Sequence, residues 1–223
     1  MTMDNLNEIK GYELLSHKVY HLIKHSIVEN NLTAGSELKE EKIAKQLGIS
    51  RTPVREAFQR LASEGFIKTL PNRKAVVRSL SILDICNFLH LRAVLEGLAA
   101  RLATPSLDNS DIGKLELHIK KMEEASKKKE ASLFVKQYSF FQEIILVKSK
   151  NELLRQIRNN LSELSRFYSV KSLQVDGRFE EAIEEFRKIL VALKEKDAEK
   201  AEELSRKHVE EVIKNLLIHY KLK

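Results

Sequence analysis

The chain has 223 residues, with 39 Lys and Arg against 32 Asp and Glu, one cysteine, seven glycines and three prolines. The length suits one large domain or two modest ones, and the scarcity of turn residues argues against a β-sandwich or a dinucleotide-binding α/β fold. No apolar run approaches the ~18 residues of a membrane span, the start MTMDNLNEIKGYELL lacks a signal-peptide core, and the lone Cys86 forms no internal disulfide, so no membrane contact and a cytoplasmic location are expected.

Residues 12–29 predict a first helix, with Leu15, Val19, Leu22, Ile23 and Ile27 as its apolar stripe. A break over 30–36 precedes a short helix at 40–47, whose Ile43, Ala44 and Leu47 are apolar and which Gly48 closes. Ser50 is placed to cap the next helix, with Pro53 in its first turn. In that helix, 51–64, Val54, Ala57, Phe58 and Leu61 share one face, so Arg51, Thr52, Arg55, Gln59 and Arg60 fall off it. Gly65 stops the helix, and two short strands, 66–70 and 75–78, flank a turn at 71–74. Beyond Ser81 the pattern is helical throughout, with helices near 81–104, 110–129, 131–148, 151–173, 177–195 and 197–220. Stripes such as Phe134/Tyr138/Phe141/Ile145 and Ile183/Phe186/Ile189/Leu190/Leu193 supply the buried faces of a bundle.

The fold class is therefore mainly α: an N-terminal winged helix-turn-helix over 1–78, then an all-helical bundle over 79–223. Residues 51–78 carry seven Lys and Arg against two Glu, a net of +5, while the 145 residues that follow net only +3. Such local concentration is the footprint of a polyanion-binding surface; a solvated basic face is the alternative on charge alone. In a winged helix-turn-helix the last helix enters the major groove N-terminus first. Arg51 and Arg55, one turn apart, then reach phosphate and guanine edges, for which the guanidinium fork is suited. Ser50, Thr52 and Arg60 join them as candidate DNA contacts, and Arg73 and Lys74 at the wing face backbone or minor groove.

The segment SELKEEKIAKQLGISRTPVREAFQRLASEGFIKTLPNRKAVV resembles the DNA-binding domain of the GntR family of bacterial transcription regulators. LRAVLEGLAARLA (91–103), the pattern from Phe141 to Asn151 and KEKDAEKAEELSRKH (194–208) resemble the FCD branch, which carries a FadR-type C-terminal domain. The resemblance implies a homodimer, a palindromic double-stranded DNA operator, and a small-molecule effector bound in the helical bundle, acting as a repressor more often than an activator. Many members of this branch hold a divalent metal with an Asp and three His. Here Tyr138, Gln142 and Phe186 stand at three of those positions and only His208 keeps its type. One imidazole does not hold a metal against water, so no metal and no other cofactor is expected.

Those four positions, with Arg92 as a candidate anion anchor, form a candidate effector pocket suited to an organic acid with an apolar body. Two alternatives stand beside it: Arg92 pairs with Glu96 one turn away, or the side chains simply fill a core and the bundle only dimerises a constitutive architectural DNA binder. The family often has glycine where Lys74 stands, which implies a remodelled wing. His17, His21 and His25 recur every fourth residue, yet no carboxylate or cysteine completes a ligand set. No phosphate loop, paired-carboxylate or Ser/His/Asp signature is present, so no catalytic residue is assigned and an enzyme is not expected.

Overall fold

In the computed structural model, which describes residues 4–28, 31–70, 74–78 and 81–221, the chain divides into two compact units, 1–80 and 81–223. The first contains α1 (Asp4–Val28), β1 (Glu37–Lys39), α2 (Glu40–Leu47), α3 (Arg51–Ser63), β2 (Ile67–Leu70) and β3 (Lys74–Val77). The strands form an antiparallel sheet in the order β1-β3-β2, with Leu38 opposite Ala75 and Ile67 opposite Val77. Leu38, Ile67, Ala75 and Val77 are buried, so one face of the sheet closes on Val54, Ala57, Phe58 and Leu61 in the core of this unit. Gly48 adopts the left-handed conformation (φ 65°) that ends α2 and lets the chain turn into α3.

Three details differ from the sequence reading. Leu22 is 52% exposed, and Tyr20 and Lys24 are buried beside Val19 and Ile23 instead. β1 (37–39) is a third strand in the gap between the break read over 30–36 and the helix read at 40–47, where no element was expected. Ser50 occupies the N-cap position but makes no capping bond to α3; the preferred donor, the N–H of the third helical residue, is missing because that residue is Pro53.

The second unit is a bundle of α4 (Ile82–Ala103), α5 (Asn109–Lys127), α6 (Ala131–Lys148), α7 (Glu152–Asn160), α8 (Ser162–Ser172), α9 (Arg178–Lys194) and α10 (Ala198–Lys221), with a short 3₁₀ turn at Thr104–Ser106. Reciprocal side-chain and backbone bonds start α4 (Ser81 with Asp84) and α5 (Asp108 with Asp111). The predicted helix over 151–173 is two helices meeting at Leu161, a break with neither Gly nor Pro to announce it. Its core runs through Leu115, Met122, Phe141, Ile145, Phe186, Ile189, Leu193 and Ala201.

α4 lies tightly against α10 at Gly97, where an added Cβ would come within 2.6 Å of Arg206 Cγ and 3.1 Å of the Glu202 carbonyl oxygen. Gly97→Leu is expected to cost about 1–3 kcal/mol in chemical denaturation. Gly97→Ala should cost less, because the Arg206 side chain can swing aside whereas the Glu202 backbone cannot.

Candidate functional site

In the first unit, α3 carries its cations off its buried face, Arg51 and Arg55 to one side and Arg60 to the other. Arg51 is 52% exposed and pairs with Glu41 at 2.8 Å; Arg55 is 44% exposed and lies 3.4 Å from Glu40. Lys74 on β3 pairs across the sheet edge with Glu37 at 2.9 Å. Ser50 and Thr52 are exposed at the same end of the helix. Arg73 lies outside the described residues. Arg60 sits at the other end of α3, its guanidinium 4.0 Å above the Tyr20 ring and its Nε 3.1 Å from Glu64. Glu64 also accepts from Tyr20 and Lys24 of α1, so Arg60 belongs to a clamp that fastens α1 to the recognition helix. The sequence reading missed Glu37, Glu40 and Glu41, because an isolated acidic run reads as a solvated helix start.

In the second unit, Arg92, Tyr138, Gln142, Phe186 and His208 are all buried. The first three converge on a carboxylate that had been offered only as an alternative partner. Glu96, 1% exposed, accepts from Arg92 Nε at 2.8 Å, Arg158 Nε at 3.0 Å, Gln142 Nε2 at 3.2 Å and the Tyr138 hydroxyl. Arg92 further donates to Ser169 Oγ at 3.0 Å and to the Tyr138 hydroxyl. Three helices, α4, α6 and α7, thus meet at one buried carboxylate, and Arg92 links α8 to it through Ser169. Burial by itself would raise the Glu96 pKa, but the Arg92 and Arg158 guanidiniums outweigh it and hold the group at about 2.

A second buried cluster lies beside it. Arg178 forks onto Glu185 (2.7 and 2.8 Å), and His208 Nδ1 lies 2.6 Å from the same carboxylate. The His208 ring packs 4.5 Å from that of Phe186 and 5.5 Å from that of Tyr138. Between the two clusters lies a cavity of about 20 Å³, lined by Tyr138, Ser169, Arg178, Phe186 and His208 among others, room for about one water; Glu185 and His208 also border an open cleft of about 870 Å³ with Glu181, Arg187 and Lys188. Arg178 could have been flagged from the sequence, because a cation on the first residue of a helix opposes the helix dipole unless a partner holds it. Arg158 gave no such signal.

Residues 15–77 match the bacterial regulatory proteins of the gntR family, and residues 87–211 match the FCD domain. The chain belongs to the FCD branch of the GntR family of transcription regulators. It is 24% identical to the HTH-type transcriptional repressor RspR of Escherichia coli K12 over 198 residues, 89% of this chain and 87% of that one. It is 30% identical over 171 residues to the gluconate operon transcriptional repressor of Bacillus licheniformis, 75% of this chain and 68% of the relative. Among solved structures it is similar to E. coli McbR/YncC, with a TM-score of 0.73 at 25% identity, covering 93% of this chain and 98% of that one. A GntR/FCD protein is a DNA-binding transcription regulator and not an enzyme.

This GntR-family regulator departs from its branch where many members hold a metal. Phe186 offers no donor, the Gln142 amide nitrogen faces Glu96, and His208 spends Nδ1 on Glu185. Tyr138 keeps its proton, since burial helps push its pKa up to about 12. Such a donor set does not fit a divalent cation. Among the described residues no group of three or more His, Cys, Asp or Glu could hold a metal. The Arg92 guanidinium supplies the positive charge that stands among these positions instead.

The clusters are expected to make the bundle's stability acid-sensitive. Burial lowers the His208 pKa below its ordinary 6.5 despite the pull of Glu185, so the unfolded chain takes up a proton before the folded one does. That contribution to stability is complete above pH 6.5 and is lost as pH falls. Glu96 and Glu185, each held at about 2 against an ordinary 4.5, withdraw theirs as pH falls from 4.5 towards 2. Calorimetry between pH 8 and 3 should show the bundle's melting temperature dropping in these two stages. His208→Gln should flatten the first stage and shrink the Glu185 share of the second, since His208 helps hold that carboxyl low, while the Glu96 share remains.

Proposed function

We propose that this regulator is a cytoplasmic, dimeric, effector-responsive repressor that binds a palindromic operator. The observation that carries the DNA reading is the first turns of α3, where Arg51 and Arg55 stand half-exposed on one side while Val54, Ala57, Phe58 and Leu61 are buried on the other. Arg51 and Arg55 meet base edges and phosphates in the major groove; Ser50 and Thr52 contact backbone at the helix start; Lys74, with Arg73, follows the wing. Arg60 holds α3 at its correct angle through Tyr20 and does not itself touch DNA.

For dimerisation, α4 offers Leu83, Leu91 and Val94, between 47% and 68% exposed and within about 80° of the helix circumference. Two such helices face each other across a two-fold axis, which matches the symmetry of a palindromic operator. Light scattering coupled to size exclusion should give a dimer, and titration of a selected palindromic duplex should saturate at two chains per duplex. Leu91→Glu/Val94→Glu should give a monomer with operator affinity weakened by tenfold or more; a dimer that persists in this variant would place the interface elsewhere.

The packed interior at Tyr138, Phe186 and His208 favours a second reading for the bundle, in which it dimerises the protein and senses nothing. An effector between those residues would have to displace a largely paired ion network around a cavity of about 20 Å³. The effector reading retains its support from the GntR/FCD architecture, which pairs a DNA-binding unit with a helical unit of this kind. A screen of small organic acids for a change in operator affinity separates the two readings.

A further inference from the structure

The Glu96 network has an outer end that its own hydrogen bonds do not explain. Gln142, 3% exposed, must turn its amide nitrogen towards Glu96, because a carboxylate only accepts. Its Oε1 is thereby left buried with no donor, an unmade bond that costs about 1–3 kcal/mol. Gln142 and Arg158 together line a cavity of about 260 Å³ set among α6, α7 and α8. Ser139, Asn159, Ser162 and Arg166 complete its polar lining. The one carboxylate in that lining, Glu143, is engaged by Arg155, which forks onto it at 2.9 and 3.1 Å.

We propose that this cavity is the effector site of the regulator and that it takes a small hydroxylated oxyanion. The volume exceeds a single water's share of about 30 Å³ severalfold and falls just below the ~300–1,000 Å³ of drug-sized ligand pockets, which suits a molecule of a few carbons. The lining guanidiniums of Arg158 and Arg166 have the fork geometry that matches a carboxylate or phosphate, and Arg158, at present on Glu96, would have to turn from it to the ligand. A ligand hydroxyl supplies the donor that Gln142 Oε1 lacks, and Ser139, Asn159 and Ser162 pair with further hydroxyls. Arg158 gives the site its route to the rest of the bundle. When its guanidinium turns to the ligand it leaves Glu96, whose remaining partners, Arg92 of α4 and Tyr138 and Gln142 of α6, then readjust. The inference rests on the effector-responsive reading above, and it moves the effector away from the packed interior that the sequence had suggested.

The test is calorimetric titration of the intact protein with D-gluconate, glycerol 3-phosphate and neutral D-glucitol, each to about 10 mM. The expected result is binding of at least one of the two anions and none of D-glucitol. Ser162→Phe fills the cavity without touching the Glu96 network and should abolish that binding while the melting temperature stays within a few degrees of wild type. Arg158→Lys, which keeps a cation near Glu96 but removes the fork, should weaken it at least tenfold. Equal binding by wild type and Ser162→Phe, equal binding of D-glucitol, or no binding of either anion would each overturn the proposal. Operator titration of the unliganded proteins accompanies every arm: intact DNA binding with no ligand uptake sinks this site alone, whereas loss of specific DNA binding by wild type sinks the regulator reading itself.

Discussion

Glu96→Ala should lower the stability of the helical unit by about 3–5 kcal/mol, the cost of leaving buried charge uncompensated. For a unit of this size that is a fall of roughly 6–20 °C in melting temperature. Four donors from α4, α6 and α7 lose their acceptor at once, and two of them are guanidiniums, Arg92 and Arg158, no more than 5% exposed. The size of the effect follows from breaking the network, not from any large net gain in having it. A variant that also removes the charges, Arg92→Met/Glu96→Leu/Arg158→Met, should therefore recover most of the loss, since apolar groups of similar volume need no partner. Denaturation in urea separates the cases. A loss under 1 kcal/mol in the single variant would mean that water reaches these guanidiniums and that the carboxylate is not their anchor.

Arg55→Ala should weaken operator binding by about 1–3 kcal/mol and blunt sequence preference. Its present partner, Glu40, is nearly buried, but the contact is long at 3.4 Å and the arginine itself is 44% exposed, and so loose a pair contributes at most about 1 kcal/mol. The arginine therefore leaves it readily for a guanine edge or a phosphate. Arg51→Ala, if phosphate is its target, should weaken specific and non-specific DNA alike and reduce the salt dependence by about one unit of slope. Fluorescence anisotropy against operator and scrambled duplex at two salt concentrations distinguishes these outcomes. Wild-type binding by both variants would remove α3 from the DNA interface.

The DNA-binding unit was legible in the sequence because local signals agreed there. Gly48 and Gly65 bracket α3, Pro53 marks its first turn, and its apolar positions keep one helical face. β1 escaped because three residues carry no periodicity, and its pairing with β3 is a non-local fact. Tyr20 displaced Leu22 from the buried face because its hydroxyl had a partner, Glu64, lying 44 positions away in sequence. In the bundle the helices were legible and the chemistry was not. Periodicity identified Tyr138, Phe186 and His208 as inward-facing, but it says nothing about what meets them. Arg158 and Glu185 look like ordinary surface charges in a chain where 32% of residues are charged. Only the fold brings Arg158 to Glu96 across 62 positions and His208 to Glu185 across 23.

The glutamates of β1 and α2 have a consequence for how quickly the protein finds its target. Arg51, Arg55 and Lys74 each already hold a carboxylate, on Glu41, Glu40 and Glu37. In the proposed complex each contact that these three cations make with DNA is an exchange of one anion for another, so random chromosomal DNA gains little from them. An operator repays the exchange because it adds base contacts that a carboxylate cannot imitate. The three acids thus behave as built-in decoys: they shorten the time lost on wrong sequence and leave the lifetime on the right one nearly intact.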